Sequence, residues 1–363
     1  MADAGKRVAL GMSGGVDSSV AAVLLQRAGY EVVGVTCLFH DDEASRGDAA
    51  AAEEVCRALG IDHAVADCTA QFAARVVGPF VEAYAAGLTP SPCVGCNASC
   101  KLPALIEVAD QLECGKVATG HYARIAQLSA NGRFVVKTGL DERKDQSYML
   151  ALLSQEQLAR LVLPLGALTK ADARLIAHDC GLPVADAPES QDVCFIPGDY
   201  RDFLRAHGVE DAPGPIVDAA GAVLGEHAGL SGFTVGQRKG IGVAGPEPYY
   251  VIAKRPATRE LVVGTAAEAR IRKVRVGALN WQAFNRLDVE CEAMVKLRYR
   301  SQGVACIITP EHTDPARTAS AGAGGVEATL ISPQPTTAPG QYAVFYEGAT
   351  VLGGGVIEEV TQA

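Results

Sequence analysis

The chain has 363 residues, 48% of them hydrophobic, and a net charge of −10. That length predicts two or three domains, and that composition excludes a disordered chain. No apolar stretch is long enough to span a bilayer, and Met1–Arg7 has neither a signal-peptide core nor a transit-peptide character, so a soluble, cytoplasmic protein is expected.

In chain order, the first half alternates strand and helix patterns. Arg7–Met12, Glu31–Phe39, His63–Cys68 and Lys116–His121 read as strands. Ser18–Ala28, closed by Gly29, Ala49–Leu59, closed by Gly60, Ala70–Ala86 and Lys101–Leu112 read as helices. Pro90-Ser91-Pro92 breaks the chain between the last two. Regular β-α alternation predicts a parallel sheet covered by helices on both faces. Phe134–Thr138 reads as a hairpin strand after an Asn131-Gly132 turn, Ser147–Leu163 and Lys170–His178 as helical, and Pro183–Pro188 as a loop.

After about residue 210 the pattern turns to short strands. Val217–Val223 brackets a turn, and Tyr249–Ala253, Glu260–Val263, Val274–Val276, Ala293–Leu297, Ala305–Ile308, Glu327–Leu330 and Tyr342–Tyr346 read as strands of small barrels. Thr313–Gly325, rich in Ala, Gly, Thr and Ser, reads as a loop. The expected fold is therefore an α/β, Rossmann-like parallel-sheet domain over residues 1–208, a small central β-rich domain over 209–272, and a C-terminal β-barrel over 273–363.

Charge is unevenly spread. Lys254 to Arg300 holds eleven Lys/Arg against five Asp/Glu, which leaves the remaining chain at −16. A basic second half is compatible with RNA, although a solvated face explains the same count. The 11 cysteines are odd in number and mostly scattered singly among apolar residues, the pattern of reduced thiols. Cys93, Cys96 and Cys100 form a cluster, and Cys194 stands after a polar Glu189-Ser-Gln-Asp192 run.

The strongest single motif is Val8-Ala-Leu-Gly-Met-Ser-Gly-Gly-Val-Asp-Ser-Ser19, a strand, a glycine turn and a helix start. Gly14 and Gly15 let backbone amides approach phosphate oxygens, Ser13, Ser18 and Ser19 add hydroxyls, and the helix points its positive end at the anion. The lysine of an ordinary phosphate loop is absent. This loop resembles that of the PP-loop, or N-type ATP pyrophosphatase, superfamily, whose members adenylate a carbonyl oxygen and release pyrophosphate.

Later segments choose within that superfamily. Thr89-Pro-Ser-Pro-Cys-Val-Gly-Cys-Asn97, Ala118-Thr-Gly-His-Tyr-Ala-Arg124, Lys144-Asp-Gln-Ser-Tyr148, Glu189-Ser-Gln-Asp-Val-Cys-Phe-Ile196, Phe233-Thr-Val-Gly-Gln-Arg-Lys-Gly240 and Lys296-Leu-Arg-Tyr-Arg300 resemble the signatures of the bacterial tRNA-specific 2-thiouridylase (MnmA) family, in order and over nearly the whole chain. The resemblance implies ATP-dependent 2-thiolation of the wobble uridine, U34, of the tRNAs for Lys, Glu and Gln. The chemistry agrees: adenylation turns a poor leaving oxygen into AMP, and a persulfide sulfur then attacks C2.

By that resemblance Cys194 carries the persulfide and Cys96 is the partner thiol, placed near a helix start where the dipole favours thiolate. ATP is implied at Gly11, Met12, Ser13, Gly14, Gly15, Val16, Asp17 and Ser18, at Leu38 and at Gly120, with Asp17 orienting the loop or meeting Mg2+. The target base falls to Ser91, Pro92 and Cys93, and tRNA to His121, Lys144, Asp145, Gln146, Arg298, Tyr299 and Gln341. Gln237-Arg238-Lys239 adds a basic turn. Many family members lack a cysteine at position 93; here Cys93-x-x-Cys96 with Cys194 offers three ligands for a [4Fe-4S] cluster, and adding Cys100 gives four for zinc. A sulfur-donor protein, a cysteine desulfurase or a relay carrier, is implied from outside the chain. Three other readings are an amidating PP-loop ligase, which needs neither Cys96 nor Cys194, a 4-thiouridine synthase, for whose N-terminal extension there is no room, and a non-enzymatic RNA-binding module with a structural metal.

Overall fold

The computed structural model describes residues 6–187, 193–196, 198–311 and 324–363. Its first unit is a five-stranded sheet in the order β3-β2-β1-β4-β7, from Asp62–Asp67, Glu31–Leu38, Arg7–Gly11, Lys116–Ala118 and Leu161–Val162, and every neighbouring pair is parallel. Strand alternation divides the core. Val8, Leu10 and Val32 face α1 (Val16–Arg27) and α2 (Glu43–Leu59), whereas Ala9, Val33 and Val35 face α6 (Leu102–Gln111). The order reverses between β1 and β4, so the loops after these two strands leave in opposite directions and open a crevice at their carboxyl ends.

Helix boundaries depart from the periodicity where caps and turns intervene. α2 begins at Glu43 rather than Ala49, because the Asp42 carboxylate accepts from the Ser45 N–H at 2.7 Å. The stretch read as one helix over Ala70–Ala86 is α3 (Thr69–Phe72), a wider five-residue π-turn (Ala73–Val77) and α4 (Gly78–Ala85). A second π-turn, Asn97–Lys101, joins α5 (Pro92–Cys96) to α6. Cys96 is the last residue of the five-residue α5, in a helical run that opens at Pro92 and not at the Lys101 expected from the sequence. The Ser147–Leu163 segment resolves into a short 3-10 turn, α7 (Gln155–Arg160) and β7, and α8 follows over Lys170–Asp179.

A hairpin of β5 (Ala123–Gln127) and β6 (Phe134–Thr138) leaves the first unit and joins the last through Lys137 and Thr350. After α9 (Tyr200–Ala206), β8 (Gly214–Val217), β9 (Val223–His227), β10 (Tyr250–Arg255) and β11 (Glu260–Gly264) form a small sheet over Ile216, Val251, Leu261 and Val263. The last six strands, β12 (Arg270–Trp281), β13 (Cys291–Lys296), β14 (Val304–Pro310), β15 (Val326–Pro335), β16 (Tyr342–Glu347) and β17 (Thr350–Gln362), close into a barrel, because β12 pairs with both β15 and β17. The loop read over Thr313–Gly325 falls almost wholly outside the described residues, as does the Glu189–Asp192 run. No helix among the described residues is long and apolar enough to cross a membrane.

Candidate active site

The glycine loop sits at the switch point of the sheet. Gly14 has φ +70°, and a Cβ there would stand 2.6 Å from the Asp48 carbonyl of α2, so the turn demands glycine. Gly120, after β4, lies so close that its Cβ would be 3.1 Å from the Ser18 nitrogen. Ser18 Oγ donates to the Gly15 carbonyl at 3.1 Å and accepts from the Ser13 N–H at 3.3 Å, and Ser19 Oγ donates to the same carbonyl at 2.9 Å. These bonds brace the loop from inside. Gly15, the N-cap of α1, offers no side-chain cap to the first turn. Met12 and Val16 are buried, and the Met12 carbonyl accepts from Thr36 Oγ1, so they shape the loop's floor. Gly11 ends β1 at ordinary contact with Leu105. Leu38 ends β2 half-buried, its carbonyl accepting from the Cys68 N–H at 2.8 Å.

Asp17 is already engaged. Its Oδ1 accepts from Tyr122 Oη at 2.7 Å and from Lys170 Nζ at 2.6 Å. Nothing in the sequence pairs Lys170 with the loop, since the two are 153 positions apart; only a lysine opening a helix on this scaffold hints at it.

The thiols gather beside the crevice. Cys96 is buried, Cys93 and Cys194 are exposed, and the three lie within electrostatic reach of one another and of Lys101. The expectation of a thiolate-prone Cys96 is overturned. Its thiol donates to Cys100 and is buried, and both effects push it well above the ordinary thiol range, while Cys100 as acceptor is pulled down. Desolvation pushes Cys194 up to about 11, with Lys101 opposing. Lys101 is the residue the sequence reading missed here: its charge also reaches Cys37, Cys93, Cys100 and His121. Among the described residues no group of three or more His, Cys, Asp or Glu is arranged to hold a metal ion.

Ser91 precedes α5 and Pro92 is its first residue, so the target-base candidates stand on the turn that carries Cys93. That turn is held by the barrel. The Thr89 N–H donates to the Pro339 carbonyl at 3.0 Å, and Gln341 Nε2 donates to the Thr89 carbonyl at 2.6 Å. A Cβ on Gly95 would meet Tyr342 Oη at 3.1 Å, which puts a barrel tyrosine, unlooked for, against α5. Tyr299 packs 6.0 Å from the Tyr148 ring, and Cys93 lies within its electrostatic reach.

Other expected tRNA contacts are tied into the scaffold. Both Asp145 oxygens are committed: Oδ1 accepts from the Gly139 and Ser147 amides at 3.1 and 3.0 Å, and Oδ2 from Ser147 Oγ at 2.9 Å and Lys296 Nζ at 3.1 Å. Gln146 Oε1 accepts from the Tyr122 N–H at 2.9 Å. The Lys144 N–H donates to the Asp141 carbonyl at 3.0 Å on the same turn. Thr119 Oγ1 meets His121 Nδ1 at 2.8 Å, and burial, seconded by Lys101, lowers His121 to about 3, so its imidazole is neutral. Arg298 Nη2 donates to the Thr336 carbonyl at 2.7 Å and to the Val235 carbonyl at 3.4 Å, joining barrel to central sheet, and also lines a groove of about 600 Å³ with Ser301, Gln334 and Thr336. Among the described residues, five of the eleven basic side chains from Lys254 to Arg300 form ion pairs: Arg255–Glu260, Lys273–Glu327, Arg275–Glu311, Arg286–Asp288 and Lys296–Asp145.

A parallel sheet with a lysine-free glycine loop at its switch point is the scaffold of an ATP pyrophosphatase. Comparison with known proteins narrows this. Family models match in succession: the tRNA methyl transferase HUP domain over residues 6–198, the tRNA methyl transferase PRC-barrel domain over 201–265, and the aminomethyltransferase beta-barrel domain over 271–357. A tRNA-specific 2-thiouridylase MnmA of Parasynechococcus marenigrum is 45% identical, over 98% of this chain and 91% of its own length. One from Chloroflexus aurantiacus is 44% identical over 96% and 98%. The bifunctional protein NifU/MnmA of Rubrobacter xylanophilus is 44% identical over 96% of this chain and 69% of its own length. The chain belongs to the tRNA-specific 2-thiouridylase family, and it uses ATP.

Proposed function

We propose that this chain 2-thiolates the wobble uridine U34 of the tRNAs for Lys, Glu and Gln, in the cytoplasm, with sulfur carried by a cysteine persulfide. The observation that best supports the sulfur chemistry is the grouping of Cys93, Cys96 and Cys194 around Lys101 beside the nucleotide crevice. The uridine O2 attacks the α-phosphorus of ATP, and pyrophosphate leaves. The terminal sulfur of a Cys194 persulfide attacks C2, and AMP departs with its oxygen. Cys96 sulfur then attacks Cys194 Sγ, so a Cys96–Cys194 disulfide forms as the C2 sulfur is released. An external dithiol reduces that disulfide, and an external donor, a cysteine desulfurase or sulfur-relay carrier, reloads Cys194.

In this reading Gly11–Ser18 and Gly120 receive the phosphates and Leu38 the adenine. Ser91, Pro92 and Cys93 frame the base with Tyr299. Asp145 and Gln146 fix the turn that presents Lys144, His121 and Arg298 complete the tRNA face, and Gln341 ties that face to the thiol-bearing turn through the Thr89 carbonyl. Mg2+ would be held by ATP oxygens and the Asp17 carboxylate and would supply charge neutralisation. The catalytic domain spans residues 1–208, the central domain 209–272 and the tRNA-binding barrel 273–363. Among the described residues the thiols of Cys93, Cys96 and Cys194 are not arranged to hold a metal ion, which does not favour the alternative of a [4Fe-4S] cluster there.

The test is tRNA thiolation by anaerobically purified protein with ATP, Mg2+, a dithiol, and a cysteine desulfurase with cysteine as the source of persulfide sulfur, comparing Cys194→Ala and Cys96→Ala and recording iron. Loss in both variants without iron supports the persulfide pair. Activity that tracks bound iron, or full activity in both variants, sinks it.

A further inference from the structure

The three thiols of the site differ in what can reach them. Cys93 and Cys194 are exposed, while Cys96 is only 8% exposed and packs with Cys100, Phe72, Phe80 and Phe195 in an apolar cluster. The Cys96–Cys194 disulfide that ends one round of the sulfur transfer proposed above therefore has one open end, and that end is the sulfur which must be reloaded. A dithiol attacking there and a donor delivering sulfur there compete for the same atom.

The helix that carries Cys96 holds a second exit. α5 runs over Pro92–Cys96, so Cys93 and Cys96 stand one helical turn apart. Ideal helix geometry puts their Cα atoms about 5 Å from each other. Disulfides join Cα atoms about 4.4–6.8 Å apart, so this pair can bridge without unwinding α5. Cys93 and Cys96 both lie within electrostatic reach of Cys194, and Lys101 lies within reach of all three, a charge that favours each thiolate as it is released. Cys100 also meets Cys96, but it is 0% exposed, so a bridge between those two would enclose both sulfurs.

We propose that Cys93 is the resolving thiol of the sulfur cycle: it draws the disulfide off Cys194 onto the Cys93–Cys96 turn and frees Cys194 for reloading. The assignment rests on the persulfide reading above. The Cys93 thiolate attacks Cys96 Sγ; the Cys93–Cys96 bond forms, the Cys96–Cys194 bond breaks, and its electron pair leaves on Cys194 Sγ as thiolate. An external dithiol then attacks the exposed Cys93 Sγ, and the electron pair of that bond passes to Cys96 Sγ. The second sulfur of the dithiol closes on the first and releases Cys93. Two electrons and two protons thus pass from the dithiol, which leaves as its own disulfide, and both protein thiols are restored. The work is divided between two open sulfurs: Cys194 receives sulfur, and Cys93 receives electrons.

The experiment loads the full chain with sulfur from a cysteine desulfurase and cysteine, removes both, and adds neither ATP nor tRNA. Attack of Cys96 on Cys194 Sγ then expels hydrogen sulfide and leaves the same disulfide. Free thiols are blocked with N-ethylmaleimide, and the bridges are read by peptide mass spectrometry. The wild type holds the Cys93–Cys96 bridge with Cys194 free, whereas Cys93→Ser loses that bridge and stops at Cys96–Cys194. A wild type that keeps Cys96–Cys194, or that bridges Cys96 to Cys100, overturns the proposal. The wild-type reading decides by itself should Cys93→Ser not fold. A Cys194 persulfide that persists with no sulfide released overturns the persulfide pair beneath it instead, so the two failures are distinguishable.

Discussion

Gly14→Ala tests the geometry of the nucleotide loop most directly. The position has φ +70°, and a left-handed residue with a Cβ costs about 1–2 kcal/mol. The added carbon would stand 2.6 Å from the Asp48 carbonyl oxygen, 3.2 Å from Ala51 Cβ and 3.3 Å from Asp48 Cα. Asp48 lies inside α2, where its carbonyl is held along the helix and cannot swing aside. Relief must come from moving the loop or the helix, an overpacking cost of about 1–3 kcal/mol. Together these give about 2–5 kcal/mol, a large part of the 5–15 kcal/mol or so that holds a typical domain folded. At roughly 2–4 °C per kcal/mol the melting midpoint falls by about 5–20 °C. Calorimetry with and without ATP-Mg2+ reads both effects: ATP raises the wild-type midpoint by mass action and leaves that of the variant where it is. Gly29→Ala is the control, because Gly29 has φ +82° but nothing within 4 Å of its Cβ. It loses only the backbone term and keeps ATP binding. A Gly14→Ala protein that melts within a degree or two of wild type and still responds to ATP refutes the argument.

Three further outcomes are expected. Gln341→Ala removes the bond to the Thr89 carbonyl, worth about 1 kcal/mol, and lowers the thiolation kcat with little change in KM for tRNA; a rise in KM alone marks a direct RNA contact instead. Asp145→Ala strands Lys296 and three further donors and costs about 3–5 kcal/mol in urea denaturation, whereas an exposed RNA-facing carboxylate would cost almost nothing. Because His121 is lowered from 6.5 to about 3, the unfolded chain takes up its proton first as pH falls below 6.5. Stability is then complete above that pH and drops by up to about 2 kcal/mol at pH 5. His121→Gln abolishes that share of the loss, and identical urea midpoints for the two proteins at pH 5, after matching at pH 7, refute it.

The parts of this fold legible in the sequence are those written in local pattern. The strands β1 to β3 announce themselves by apolar runs, and Gly29 and Gly60 mark helix ends, both with positive φ. β17 was not legible, although it closes the barrel, because Gly353-Gly354-Gly355 lies within it and glycine weakens every strand signal. The structure supplies the reason: a Cβ at Gly353 would lie 2.4 Å from the Asn280 carbonyl, and one at Gly355 2.4 Å from the Gly277 carbonyl, so only bare backbone fits against β12. The two π-turns escaped because their five-residue step leaves the apolar spacing almost unchanged. At the site, motif order named the loop and the thiols. It gave no access to Lys170 on Asp17 or to the Cys96–Cys100 contact, which depend on how distant or adjacent groups are desolvated together.

That dependence extends to the thiol-bearing turn itself. The Thr89 N–H and carbonyl are bonded to Pro339 and Gln341 of the barrel. Gly340 has φ +91°, and a Cβ there would crowd Leu88 at 3.1 Å, so the barrel segment lies flat against the turn. From the central sheet, Lys254 Nζ reaches toward the Phe233 carbonyl at 3.2 Å and the Leu88 carbonyl at 3.5 Å, and its burial lowers it to about 8. The barrel and the central sheet thus both hold Leu88 and Thr89, just ahead of the turn that carries Cys93. A tRNA seated on the barrel would therefore meet the thiols as part of one framework, with little freedom between docking and chemistry. Activity should then be sensitive to substitutions at Gln341 and Lys254 that touch neither ATP nor sulfur, and ATP binding should be indifferent to them.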